Sequence, residues 1–263
     1  MHRQLKVLQL CYGLGALLVS PVLPLMYLQG KKILKYFERN PVVAPEGDTE
    51  GLVEKGTGEL QLLVLGESTV EGIGADSFEK TLSVKLAETL ARESGQSVSW
   101  KAVGKSGATA KTSLQHLLPL VPHLERYDIT VLVLGANDSF ALTSPLAWVK
   151  HIDGIVQKLR QKQPHALVYL ASLPPVGSFP ALPQPTRWVL GQCNRLLRLA
   201  SKIYARDQQR VIHSQALFEN RKHLLCSDGI HPSEQGYKKW AEAIAEELLP
   251  FMPDHSVQSS KVA

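Results

Sequence analysis

A serine hydroxyl is a weak nucleophile until a base takes its proton, and a histidine acts as that base only when a third group fixes its tautomer. Three residues can meet this requirement. Ser68 follows the apolar run "LQLLVLG" (60–66), so it stands at the tip of an expected strand. Asp228 and His231, in Asp228-Gly229-Ile230-His231-Pro232, are three residues apart and can meet within one tight turn. Attack by Ser68 would also create an oxyanion, which needs preorganised donors. The Ser68 N–H, the Gly107 N–H and the Asn137 side-chain amide are available from three different strand ends.

Other chemistries fit less well. "GKS" at 104–106 resembles the end of a phosphate-binding loop, but that motif needs a glycine where Ser99 stands, inside a strand. Gly72 and Gly74 form a G-x-G without the third glycine of a dinucleotide fingerprint. The nine histidines are scattered, and Asp228 with His231 is too small a set for a tight metal site. No cofactor or metal is expected. Cys11, Cys193 and Cys226 show no disulfide or zinc spacing.

The elements that must position these residues alternate along the chain. Apolar runs at 60–66, 97–103, 129–135 and 166–172 read as strands, with 210–214 a weaker fifth. The central runs are apolar almost throughout, as parallel strands covered on both faces should be. Helical patterns occupy 77–95, 144–164, 186–207 and 233–250. Alternating strands and helices with right-handed crossovers predict a three-layer α/β/α sandwich around a mainly parallel five-stranded sheet. Ligands bind past the carboxyl ends of such strands, where Ser68, Gly107 and Asn137 fall. Asp138 reads as a turn-fixing carboxylate. The Pro-rich stretch 173–188 is either a plain loop or an apolar lining for an acyl chain, with Phe179, Leu182 and Trp188 as its substrate-binding residues.

Taken together, Gly66-Glu67-Ser68, Gly107 in "VGKSGAT", Gly135-Ala136-Asn137-Asp138 and Asp228-Gly229-Ile230-His231 resemble the four blocks of the SGNH (GDSL-type) hydrolase superfamily. The resemblance covers residues 60–250. It implies a flavodoxin-like fold and esterase, lipase or acylhydrolase activity. It also implies Ser68 as nucleophile, His231 as base, Asp228 as its orienting acid, and Ser68, Gly107 and Asn137 as the oxyanion hole. Two positions depart from the family pattern. Glu67 replaces the usual Asp, a change that reads as one of local turn geometry. Ala102 stands where the second block often begins with Asn. An acyl- or acetyltransferase on a lipid or glycan, or a non-catalytic tethered module, are the alternative readings.

The chain outside this region has a different character. Residues 7–28 carry no charge over a length that, as a helix, spans a bilayer core of about 30 Å. Arg3, Lys6, Lys31, Lys32, Lys35 and Arg39 face only Glu38 in residues 1–40, which accounts for the whole net charge of +5. The excess therefore suits anionic lipid headgroups, and no nucleic-acid partner is expected. Residues 1–40 are read as a single-pass membrane anchor, with a cleaved signal or a soluble amphipathic segment as alternatives. Residues 41–58 are then a linker, 59–250 the hydrolase domain and 251–263 a disordered tail. The expected partners are a small acyl ester or lipid substrate and, through residues 7–28, a membrane.

Overall fold

The computed structural model describes residues 2–122, 126–216 and 222–252. Most of the expected tail, from residue 253, lies outside these. Among the described residues there are six strands, β1 (Glu50–Val53), β2 (Glu59–Gly66), β3 (Ser97–Gly104), β4 (Ile129–Val133), β5 (Leu167–Leu170) and β6 (Val211–His213). They form one sheet in the order β1-β3-β2-β4-β5-β6, parallel except for β1. The five expected strands are all present. The sixth, β1, falls in the expected linker and pairs antiparallel with β3, placing Glu50 opposite Lys101 and Gly51 opposite Trp100. Its sequence gives little warning, because a four-residue strand exposed along most of its length lacks the apolar pattern of the buried ones.

Strand alternation divides the core. Leu60, Leu62 and Val64 of β2 face one layer, formed by α4 (Leu82–Ser94) and α9 (Glu234–Leu248). Leu63 and Leu65 face the other, formed by α7 (Pro145–Lys162) and α8 (Thr186–Arg206). All five leucine and valine side chains are fully or almost fully buried, each contributing about 1.5–3 kcal/mol. The helices start where the sequence caps them. Ser144 accepts from the Ala147 N–H ahead of Pro145, and Ser233 accepts from the Gly236 N–H. Three short helices sit directly after strands or their loops: α3 (Ser68–Glu71), α5 (Ala110–Thr112) and α6 (Ala136–Phe140).

The chain leaves β2 toward β3 on one side and returns to β4 on the other. The strand order therefore reverses at β2, and a crevice opens at its carboxyl end. Gly66 closes that end. A Cβ there would lie 2.1 Å from the Val133 carbonyl oxygen and 2.9 Å from Val70 Cγ2, so the exit from β2 tolerates no side chain.

The N-terminal segment forms α1 (His2–Val19) and α2 (Leu23–Arg39), joined by a single 3-10 turn. Together they are long and apolar enough to cross a membrane. They do not stand clear of the domain, however: α1 packs on α7 and α8, with Leu5 buried in the same cluster as their inner faces.

Gly66→Ala should lower stability by about 1–3 kcal/mol through overpacking at the β2–β4 contact. A urea unfolding midpoint equal to that of the parent chain would contradict the close approach.

Candidate active site

Ser68 is the first residue of α3, immediately past β2. Its Oγ lies 2.8 Å from His231 Nε2, and His231 Nδ1 lies 2.6 Å from Asp228 Oδ2. The histidine loop is built locally. Asp228 Oδ1 accepts the backbone N–H groups of Ile230 and His231 at 2.8 and 2.9 Å, which leaves Oδ2 for the ring. The Cys226 N–H donates to the His231 carbonyl, and Ser233 then starts α9. Burial opposes ionisation of Asp228, but the His231 ring and the two N–H donors outweigh it and hold the carboxyl down at about 2. The aspartate is thus ionised wherever the histidine needs a partner.

The serine and histidine loops are 163 residues apart in sequence and are clamped together. The Tyr237 hydroxyl of α9 donates to the Ile73 carbonyl at 2.6 Å. Gly74 passes so close to the histidine loop that a Cβ would lie 2.3 Å from the Pro232 carbonyl oxygen. The G-x-G of the loop that follows Ser68 is therefore a packing device.

Carboxylates fix the remaining loops. Glu71 accepts the Ser106 N–H at 2.7 Å and its hydroxyl at 2.6 Å, tying the loop after β3 to α3. This leaves Gly107 on the cavity wall beside Ser68, whereas a Cβ on Gly104 would lie 2.4 Å from the Glu71 backbone nitrogen. Asp138 is fully buried and accepts from the Ala110 N–H at 2.8 Å and the Thr143 hydroxyl at 3.2 Å, joining α5 to α6. Burial raises its carboxyl to about 6, against those two donors.

Glu67 does more than shape its own turn. Its carboxylate is 1% exposed and reaches across from β2 to the loop after β4. Oε1 accepts the Ala136 N–H at 3.1 Å; Oε2 accepts the Asn137 N–H at 3.1 Å and the Asn137 side-chain amide at 2.8 Å. The amide that faces the cavity is therefore held by Glu67. The available signal in the sequence was a carboxylate ending an otherwise apolar strand, which must find several donors if it is buried. Burial pushes its carboxyl up to about 7; the Asn137 and Ala136 donors pull it down and the neighbouring Asp138 charge pushes it up.

Ser68, Gly107, Asn137 and His231 all line one cavity of about 660 Å³. The rest of its wall is largely apolar. Phe179 and Leu182, from the Pro-rich loop, line it and are almost fully buried. Trp188, expected with them, does not line it. α8 turns Val189, Leu190 and Cys193 inward, which leaves Trp188 56% exposed on the outer face. The largest contribution that the sequence did not reveal comes from α2, whose Met26, Ile33 and Phe37 form a further wall.

An α/β/α sandwich with a serine, a histidine and apolar volume at the sheet's carboxyl edge defines a class of protein, and the chain belongs to it: residues 64–239 match the GDSL-like lipase/acylhydrolase family. Among curated proteins, the chain is similar to the spore germination lipase LipC of Bacillus licheniformis, with 26% identity over 72% of this chain and 94% of that one. It is also similar to the GDSL-like esterase Rv1075c of Mycobacterium tuberculosis, with 29% identity over 49% of this chain and 40% of the longer relative. Two solved structures share the fold. TesA aligns with a TM-score of 0.58 at 23% identity, over 73% of this chain and 99% of its own. A carbohydrate esterase of family 3 from Talaromyces cellulolyticus aligns with a TM-score of 0.57 at 16% identity, over 73% and 97%.

The raised carboxyl of Glu67 has a consequence for stability. An unfolded glutamate ionises near about 4.3. The folded state holds this proton up to about 7, so stability present below the lower value is lost as pH rises through the upper one. Between about pH 5 and about pH 8, the urea midpoint of the parent chain should fall further than that of Glu67→Gln, which has no proton to lose. Parallel pH dependence in the two proteins would exclude Glu67 as the titrating group.

Proposed function

We propose that this chain is a membrane-attached serine hydrolase that cleaves carboxylic esters or thioesters. The observation that carries this reading is the Ser68–His231–Asp228 relay, at 2.8 and 2.6 Å, opening on an apolar cavity. In the proposed mechanism His231 Nε2 takes the Ser68 proton as Oγ attacks the acyl carbonyl carbon. Asp228 holds the Nδ1–H and stabilises the imidazolium that forms. The negative charge moves to the former carbonyl oxygen, which the Ser68 and Gly107 N–H groups and the Asn137 amide receive. Collapse of this intermediate expels the alcohol or thiol, which takes its proton from His231, and leaves the acyl group on Ser68. His231 then deprotonates a water, which attacks the acyl–Ser68 ester; the acyl–Oγ bond breaks, the proton passes from His231 to Ser68 Oγ, and the acid leaves. Phe179 and Leu182 contact the acyl chain. Residues 7–28, in α1 and α2, supply the membrane attachment.

Ser68→Ala should abolish both turnover of nitrophenyl esters and labelling by a fluorophosphonate probe. Retained turnover in that variant would remove Ser68 from the mechanism. Asn137→Ala should lower kcat by about 10²–10³-fold if the amide receives the oxyanion. A loss confined to KM would place Asn137 in ground-state binding instead.

A further inference from the structure

The helical pair α1–α2 has two faces with opposite demands. Its inner face is fitted to the domain: Leu5 lies in the α7–α8 core, and Met26 packs with Val176, Phe179 and Leu190. Polar contacts fix this face along its length. The Leu146 N–H donates to Gln9 Oε1 at 3.2 Å, and the Tyr12 hydroxyl donates to the Leu142 carbonyl. Further on, Gln29 donates to the Gln184 carbonyl at 2.7 Å and accepts from the Thr186 hydroxyl at 2.6 Å. Near the start, Arg206 of α8 donates to Gln4 at 2.9 Å. A helix crossing a bilayer through residues 7–28 would have to carry the segment that holds Gln9 and Tyr12, with the Leu142 and Leu146 backbone groups, to membrane depth, where irregular polar backbone is costly.

The outer face is apolar and bare. Leu10, Leu14, Leu17, Leu18, Leu25 and Leu28 are each about half exposed or more and follow one another along the pair. Six exposed leucines along one helical pair of a folded protein mark an interaction surface. The same forty residues hold the whole positive excess of the chain, with Lys31, Lys32 and Lys35 exposed beside the leucines. Apolar surface flanked by cations fits the interface of an anionic bilayer.

The two faces meet at the cavity. Met26 and Ile33 line it from the inner face, while Tyr27 and Leu34 line it and are also more than 60% exposed. The rim of the cavity on the α2 side thus belongs to the outer apolar surface. We propose that α1–α2 lies flat on an anionic membrane surface and does not cross it, and that α2 is the wall between that surface and Ser68. The substrate is then a lipid ester whose long acyl chain enters past Tyr27 and Leu34. This inference rests on the hydrolase reading above and gives it a substrate class and a route.

The test uses the full chain bound to phosphatidylcholine–phosphatidylglycerol vesicles from outside. In a Cys11→Ser background, whose own labelling at the partly exposed Cys226 is subtracted, Lys6→Cys and Lys35→Cys report the two ends of the pair to a membrane-impermeant maleimide. Both should be labelled without detergent; labelling of one end only until detergent is added means the helix crosses and overturns the proposal. Ile33→Trp, on the cavity side, should lower the palmitate-to-butyrate ratio of kcat/KM for nitrophenyl esters about tenfold or more. Leu25→Trp, on the outer face, should leave that ratio unchanged. Butyrate turnover serves as the internal check that Ile33→Trp is folded. An unaltered ratio in an Ile33→Trp protein that still takes the fluorophosphonate probe overturns this inference alone. A parent chain that takes no probe overturns the hydrolase reading and this inference with it.

Discussion

The site depends on burying one carboxylate. Glu67 leaves the end of β2, where water is excluded, and its two oxygens face the start of the segment that follows β4. An ionised carboxylate can be held there only by several donors, and the Ala136 and Asn137 groups supply three. The requirement works in both directions. The donors lower the cost of burying Glu67, and Glu67 in turn prescribes where Asn137 and its amide must sit. Because Ser68 is the next residue, the serine backbone and the Asn137 amide are referred to the same fixed point. The bond joins adjacent strands of the sheet, which the Gly66–Val133 register has already brought together.

The same logic recurs around the cavity. Glu71 holds the loop after β3, Asp138 links α5 to α6, and Asp228 organises both its own turn and the His231 ring. Each carboxylate satisfies backbone N–H groups in segments with no ladder partners. Loops at the carboxyl edge of a sheet would otherwise expose those groups or move. Fixing them in advance is what the proposed oxyanion site would require, since donors that must reorganise during a reaction give back much of their benefit. The differing environments also separate the acids: Asp228 is held low by its histidine, whereas burial raises Asp138 and Glu67.

The N-terminal segment brings a different constraint into the same cavity. Its apolar surface cannot all be satisfied by the domain, because the helix has more leucine around its circumference than one packing face can cover. One side is absorbed by α7, α8 and the loop carrying Phe179. The other remains open beside the cavity rim. The apolar wall of the cavity is therefore assembled from distant parts of the chain, residues 23–37, 136–142, 174–190 and 230–240.

Much of this was legible from residue order. Apolar runs ending at Gly66, Val103 and Gly135, with capped helices between them, determine a parallel α/β sandwich, because only that layering covers both faces of such strands. That Ser68, Gly107, Asn137, Asp228 and His231 would meet at one edge was visible because strand ends converge in any open sheet of this kind, and Asp228 with His231 needs only a local turn. The tertiary structure alone decided what depends on reach across the sheet or on shared surface. It made Glu67 a clamp on Asn137, because its three donors lie some 70 residues away, a distance no local pattern encodes. It turned Trp188 outward, because the rotation of α8 is set by Val189, Leu190 and Cys193 together. It added β1, whose exposed edge needs no apolar signature, and it laid α1–α2 against the domain. A hydropathy pattern reports how much apolar surface a helix carries, and only the fold determines what covers it.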